Sequence, residues 1–391
     1  MKILLVGDYP NDPRLGSAKV PHKLAEEFRA LGHDCDLLFA SDLGLWPQRM
    51  HARFLWGPLL AARAIRRAWR SRGPYDVLDI ASGEGLAVPL LRTAGVIPRT
   101  TAFVSRSNGL EHLNYQRMVD DHHHGLLHKP WYKRWWYPMT RLQQVRQAAG
   151  AADRMIAIND RDRQYVVDRR WLPAERIVTV GHGVSTRFLE TQLSAGERGH
   201  GILFCGTWTG VKGVDYLADA FSQYVAAGGT SRLTILGGGL PAEQIGRSFS
   251  EIARTRLRIV ERVPEEQVMT EYARHDVLVF PSTYEGFGMV VPEAMSQELP
   301  VIATPVGCVS TLIRHGENGW IVPPRDPAAL TAAFERLLVD ADLRRRLSQN
   351  ARETVLNLTW TETARRTLDV YADALAERAS RHRAPAVEPV A

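Results

Sequence analysis

Cysteine is scarce in this chain: Cys35, Cys205 and Cys308 are the only three in 391 residues, and they lie far apart. That excludes a disulfide framework and a cysteine zinc site, suits a reducing cytoplasm, and leaves each thiol as a small buried hydrophobe. Long apolar runs are missing too. None reaches the roughly 18 residues that would span a bilayer. The opening MKILLVGDYP is a short apolar run closed at once by Asp8, a core strand and not a secretory signal. Acidic residues are absent from two long stretches. Residues 51–75 carry Arg53, Arg63, Arg66, Arg67, Arg70 and Arg72 with no acid, and residues 122–152 carry Lys129, Lys133, Arg134, Arg141 and Arg146 with none.

What is present is the composition of a globular protein: 45% hydrophobic, 24% charged, 31 glycines and a net charge of +6. The length favours two domains. Most of the ten tryptophans fall in the first half with the basic stretches. A basic, aromatic-rich first half suits an anionic partner: a membrane surface, nucleic acid or a phosphorylated substrate.

Strand and helix patterns alternate. KILLVGDY, DCDLLFA, DVLDIAS, TTAFVSRS and RMIAIND read as strands, and SAKVPHKLAEEFRALGH as a helix capped by Ser17. RIVTVGHGV closes this half. A second series opens at GILFCGTW and continues through RLTILGGG, RLRIVERV, DVLVFPS, PVIATP and GWIVPP. Such alternation implies parallel, doubly wound sheets, whose ligands bind beyond the carboxyl ends of the strands. The expectation is an α/β chain with two facing Rossmann-like domains and a cleft between them. Its parts are 1–185 for the acceptor, a linker at 186–200, and 201–360 for the donor. A C-terminal helix at 361–381 crosses back to the first domain, and 382–391 is a loose tail.

One stretch carries most of the chemistry. In STYEGFGMVVPEAMSQ, Glu285 and Glu293 flank Gly286, Gly288 and Pro292. Pro292 suits the first turn of a helix, where Glu293 meets the favourable end of the helix dipole. The glycines let backbone N–H groups approach a phosphate closely. A nucleotide diphosphate would lie on this loop, with Glu293 on the ribose diol and Glu285 towards whatever the diphosphate carries. The plain alternative is a solvated loop with a capping glutamate. Lys212 in GTWTGVKGVDYL, LGGGL at 236–240 and the glycine turn of GCVSTLIR sit at further strand ends of the same half and favour the phosphate cradle.

VFPSTYEGFGMVVPEAMSQELPVIATPVG resembles the signature of family 4 glycosyltransferases, which are retaining, nucleotide-sugar-dependent enzymes of the GT-B fold. The resemblance runs over nearly the whole chain and is strongest from 201 to 330. It implies that Glu293 binds the donor ribose and Glu285 lies by the donor sugar. Gly286, Phe287, Gly288, Met289 and Val290 would serve the sugar and diphosphate through the backbone, and Lys212 would serve the diphosphate. Gly16, in DPRLGSAK, matches the family's N-terminal glycine loop. VTVGHGV and LTW (358–360) match the segments before the linker and at the last helix. Gly206, Gly237 and Val263 complete the donor set, with Arg262-Val263-Pro264 at the edge of the base pocket.

Two positions depart from the family. Thr207 stands where an arginine usually faces the diphosphate. Asn108 stands where relatives offer a histidine to the donor sugar, with His112 four residues on as a substitute or as an ordinary packed histidine. Catalysis is therefore expected from Glu285, Lys212, Asn108 and His112. No strand-end Asp-x-Asp is present to hold magnesium in the usual metal-dependent way. The histidines of DDHHHG (120–125) read as a solvated loop sooner than a metal site, so neither metal nor cofactor is expected. The implied reaction moves a sugar from a nucleotide donor, UDP by family frequency over GDP, to a saccharide or lipid-linked acceptor in surface polysaccharide or glycolipid synthesis. HKPWYKRWWYPMTRLQQVR and FLWGPLLAARAIRRAWRSR suit an anionic membrane surface. Ordinary packing of those aromatics, or stacking on a soluble sugar, are the alternatives. The expected location is cytoplasmic, peripheral at the inner face of the plasma membrane. A catalytically idle nucleotide-sugar binder is the rival from another class. An epimerase or phosphorylase fits the paired glutamates poorly, and no nucleic-acid module is recognisable.

Overall fold

The computed structural model describes residues 1–12, 16–44, 50–123, 135–191 and 198–383. Two units divide the chain: residues 1–182 with 360 onward, and residues 183–359.

The first unit holds a six-stranded sheet of β1 (Lys2–Val6), β2 (Asp34–Leu38), β3 (Val77–Ala81), β4 (Ala102–Arg106), β5 (Arg154–Ala157) and β6 (Ile177–Thr179). Its order is β2-β1-β3-β4-β5-β6, with every pairing parallel. β3 and β4 are buried along their whole length, as strands covered by helices on both faces must be. Helices Gly16–Ala30 and Met50–Arg72 lie on this sheet's side of the chain, and the last helix, Trp360–Arg383, belongs to the same unit. That helix is fastened by the Tyr371 hydroxyl on Asp79 at 2.5 Å and by Arg378 on Asp153 at 2.8 Å. Trp360 is buried and stacks on His182, with ring centroids 5.7 Å apart.

The second unit repeats the plan with β7 (Ile202–Cys205), β8 (Leu233–Leu236), β9 (Leu257–Val260), β10 (Val277–Phe280), β11 (Val301–Ala303) and β12 (Trp320–Ile321). The order is β12-β11-β10-β7-β8-β9, again wholly parallel. Its core runs from Ile202, Phe204 and Val279 to the helix residues Phe221, Phe334 and Leu347.

Each sheet has one place where the strand order reverses. In the first unit the chain leaves β1 for β2 on one side and returns to β3 on the other. In the second it runs β7, β8, β9 and then returns to β10 beside β7. The crevice beyond the carboxyl ends at such a reversal is where doubly wound sheets bind ligands.

Local details differ from the sequence expectations. The first helix begins at Gly16, so Ser17 lies inside its first turn and not at the cap. The expected linker contains a short helix, Thr186–Glu190, while residues 192–197 lie outside the described residues. The last helix extends to Arg383, and the expected tail beyond it is likewise outside them.

Candidate active site

At the reversal of the second sheet, the loops after β7 and β10 face each other. Thr283 N–H donates to the Val211 carbonyl at 2.9 Å, tying the two loops together. That tie brings the Lys212 ammonium to 2.5 Å from Glu285 Oε2, and both side chains stay partly exposed at 25% and 17%. The helix after the loop is Val290–Ser296, with Glu293 buried in its first turn. Pro292 falls in that turn, where its missing N–H costs nothing. The β11 loop braces the glycine loop from behind: Cys308 N–H donates to the Phe287 carbonyl at 2.7 Å. Gly307, at φ +57°, leaves no room for a side chain, because a Cβ there would sit 2.4 Å from that same carbonyl.

The other expected donor positions line the same carboxyl edge. Gly206 and Thr207 follow β7, and Gly206 N–H donates to Leu236 at 3.0 Å. Gly237 follows β8 and Val263 follows β9. Phe287 and Gly288 are buried, whereas Gly286, Met289 and Val290 are half-buried. The β7 end also holds two groups that the sequence reading did not single out for the site. Burial pushes the Cys205 thiol up to about 12, with Tyr272 beside it pulling the other way and Glu293 adding to the rise.

At the reversal of the first sheet lies a cavity of about 110 Å³. It is lined from the ends of β1, β3 and β4 by Asp8, Tyr9, Ser82, Ser107, Asn108 and Glu111, among others. The Asn108 carboxamide is buried beside the Tyr9 hydroxyl. Behind this wall, Arg141 is almost wholly buried and gathers three carboxylates. It meets Glu84 through two bonds of 2.8 and 2.9 Å, Glu111 at 3.0 Å and Asp8 at 3.2 Å. Burial opposes the Arg141 charge, but Glu84, Glu111 and Asp8 outweigh it and hold the guanidinium more basic than usual. Glu84 goes the other way: burial and Asp8 push it up to about 7 against the pull of Arg141, and Glu111 adds to the rise.

Arg141 therefore corrects one expectation. The sequence places it in a basic stretch facing an anionic partner, yet it is an interior cation whose partners lie far away in the chain. Trp136 and Tyr137, from the same stretch, pack on Phe54 at 6.3 and 5.4 Å between ring centroids. Residues 129–134 lie outside the described residues.

His112 is not among the residues lining the cavity. Its ring sits 4.4 Å from that of Trp171 and 5.8 Å from that of Tyr165. Burial, with Arg169 and Arg146 nearby, lowers it to about 4, so it is neutral at pH 7. Gly16 is the first residue of its helix, preceded by residues outside the description. Asp121 pairs with Arg117, and among the described residues no group of three His, Cys, Asp or Glu could hold a metal ion.

Comparison with known proteins agrees with this plan. The model for Glycosyltransferase Family 4 matches residues 16–188, and that for Glycosyl transferases group 1 matches 199–340. The chain belongs to the family 4 glycosyltransferases. The D-inositol 3-phosphate glycosyltransferase of Acidothermus cellulolyticus is 30% identical over 62% of this chain and 58% of its own length. The alpha-D-kanosaminyltransferase of Streptomyces kanamyceticus is 29% identical over 53% and 56%. The matches thus span less than two thirds of these relatives. Among solved structures, sucrose-phosphate synthase from Thermosynechococcus elongatus has a TM-score of 0.78 at 22% identity, covering 96% of this chain and 99% of that one. Anabaena HepE in complex with UDP has a TM-score of 0.66 at 16% identity, covering 95% and 100%. At these identities the likeness concerns the fold, which is GT-B.

Proposed function

We propose that the chain is a retaining glycosyltransferase that moves a sugar from a nucleotide-sugar donor to a hydroxyl of a saccharide or lipid-linked acceptor. The observation that carries this is the pairing of Lys212 with Glu285 at the reversal of the second sheet, beside the helix start that holds Glu293. A cation and a helix amino end suit the diphosphate, and a buried carboxylate suits the ribose diol. Gly206, Thr207, Gly237 and Val263 line the rest of the nucleotide's path, and Gly286 to Val290 underlie the diphosphate and sugar. UDP is the proposed nucleotide, in keeping with the HepE structure that holds it.

In the reaction, the bond from the anomeric carbon to the leaving phosphate breaks as the acceptor oxygen bonds to the same face of that carbon. The acceptor proton goes to the departing phosphate oxygen. Negative charge grows on that phosphate, and Lys212 with backbone N–H groups stabilises it without a metal. Glu285 orients the sugar, and Asn108 donates a hydrogen bond to a sugar hydroxyl.

The cavity of the first unit is the proposed acceptor pocket. Asp8, Ser82, Ser107 and Glu111 line it with groups that can hydrogen-bond to hydroxyls, the two carboxylates being paired with Arg141. The proposed acceptor is a saccharide of surface polysaccharide or glycolipid synthesis, bound through its hydroxyls.

Calorimetric titration with UDP and with GDP, on wild type and on Glu293→Ala, tests the donor half. Micromolar binding of one nucleotide that the variant loses supports the reading and names the base. Turnover with the matching donor and an acceptor extract then separates an enzyme from an idle nucleotide-sugar binder.

A further inference from the structure

Helix Met50–Arg72 turns two kinds of side chain outward along one stripe. Leu55, Trp56 and Leu59 come first, at 52%, 54% and 50% exposure. Arg63, Arg66, Arg67 and Arg70 continue the stripe, all exposed, at spacings that keep them on one helix face. The opposite face, with Ala61, Ala64, Ile65 and Ala68, is buried in the core of the first unit. The neighbouring helical segment, which packs on Phe54 through Trp136 and Tyr137, adds Trp135 at 70% and Met139 at 72% exposure.

Scattered exposed apolar residues need no explanation, but an exposed tryptophan and two leucines clustered on two turns of one helix do. The arginines carry the second half of the argument. Arg63, Arg66 and Arg70 make no hydrogen bond or ion pair among the described residues, and residues 51–75 contain no acid to balance them. Among the described arginines of this helix, Arg67 is engaged on the Asp42 carbonyl at 3.3 Å and Arg72 on Asp36 at 3.1 Å. From Leu55 to Arg70 the stripe is about 22 Å long, at 1.5 Å per residue.

We infer that this stripe is a docking face for an anionic lipid bilayer. Leu55, Trp56 and Leu59 enter the boundary between headgroups and acyl chains, where an aromatic ring is at home. Arg63, Arg66 and Arg70 lie against lipid phosphates. One feature argues against a second copy of this chain as the occupant. A two-fold contact pairs the same stripe with itself, and that brings unbalanced arginines towards arginines. No helix among the described residues is long and apolar enough to cross a membrane, so the contact made by this face is superficial.

The test is flotation of the purified chain with phosphatidylcholine vesicles, with and without phosphatidylglycerol. Wild type is compared with Trp56→Glu/Leu59→Glu and with Arg63→Gln/Arg66→Gln/Arg70→Gln. All five positions are exposed, and thermal melts together with nucleotide titration confirm that each variant folds. The expected result is binding to the phosphatidylglycerol vesicles alone, weakened by salt. The arginine variant loses it roughly 100-fold, given the usual contribution of each basic residue near an anionic surface, and the apolar variant loses it as well. Equal binding to both vesicles, no binding by wild type, or variants that bind like wild type would each overturn the inference. So would a wild-type dimer that the apolar variant alone dissociates, or an oligonucleotide that binds the arginines regardless of Trp56. Nucleotide binding that survives such a failure leaves the glycosyl-transfer proposal standing.

Discussion

The Lys212 ammonium and the Glu285 carboxylate form a 2.5 Å ion pair between loops that leave β7 and β10. Without donor, each neutralises the other. A diphosphate binding at Lys212 has to draw the ammonium away from Glu285, and the carboxylate released is then available to a sugar hydroxyl. The two residues should therefore fail differently. Lys212→Ala is expected to weaken UDP binding about tenfold or more, the value of a charge-assisted hydrogen bond. Glu285→Gln is expected to keep or tighten UDP binding while lowering kcat by about 100-fold. Calorimetry and steady-state turnover measure both, and equal losses of UDP affinity would reduce the pair to a structural tie.

Gly307→Ala should disable the glycine loop without unfolding the unit. The new Cβ meets the Phe287 carbonyl, and φ +57° is strained for alanine. A cost of about 1–3 kcal/mol is expected from such local strain. UDP affinity should drop while the far-ultraviolet circular dichroism stays that of wild type.

Arg141→Met leaves Glu84, Glu111 and Asp8 around an uncharged side chain. Breaking a buried ion network in this way costs about 3–5 kcal/mol. Thermal unfolding should show a fall in Tm of several degrees or a failure to fold, and raising the pH should worsen it as Glu84 is forced to ionise. A variant as stable as wild type would show that water already screens the carboxylates.

Acid should find His182. Burial, with Arg106 as the lesser cause, lowers it to about 3, so the folded chain keeps it neutral while the unfolded chain protonates it near pH 6.5. Its contribution is intact above the unfolded value and declines as pH falls below it. Between pH 7 and pH 5 the loss is about 2 kcal/mol. Urea unfolding at the two pH values, on wild type and His182→Asn, should show a smaller pH difference in the variant.

Alternation of strand and helix was legible because covered parallel strands are apolar throughout, as VLDIA and VLVF are, and sit between amphipathic helices. Position along the strands was legible too: glycine turns and polar residues collect where strands end, which is how Lys212, Glu285 and Glu293 could be named together. The Arg141 network was not legible. Its partners Asp8, Glu84 and Glu111 come from three separate strand ends, and the sequence from 122 to 152 around Arg141 contains no acid at all. Local charge counting read a surface where tertiary packing made an interior. The choice between the two readings of His112 was not legible for a similar reason, since Trp171 and Tyr165 reach it only through the fold. Which strand ends adjoin depends on strand order, and no local pattern encodes that.

Gly57 sits in the helix that carries Trp56 and Leu59, and it faces the other way. A Cβ at Gly57 would come within 2.9 Å of Glu84 Oε1, so this helix lies as close to the buried carboxylates as backbone allows. The width of this one helix, about 10 Å with its side chains, then lies between the exposed tryptophan and Glu84. On the two proposals together, a saccharide tethered to a lipid would need a leash of at least about 10 Å to pass around that partition.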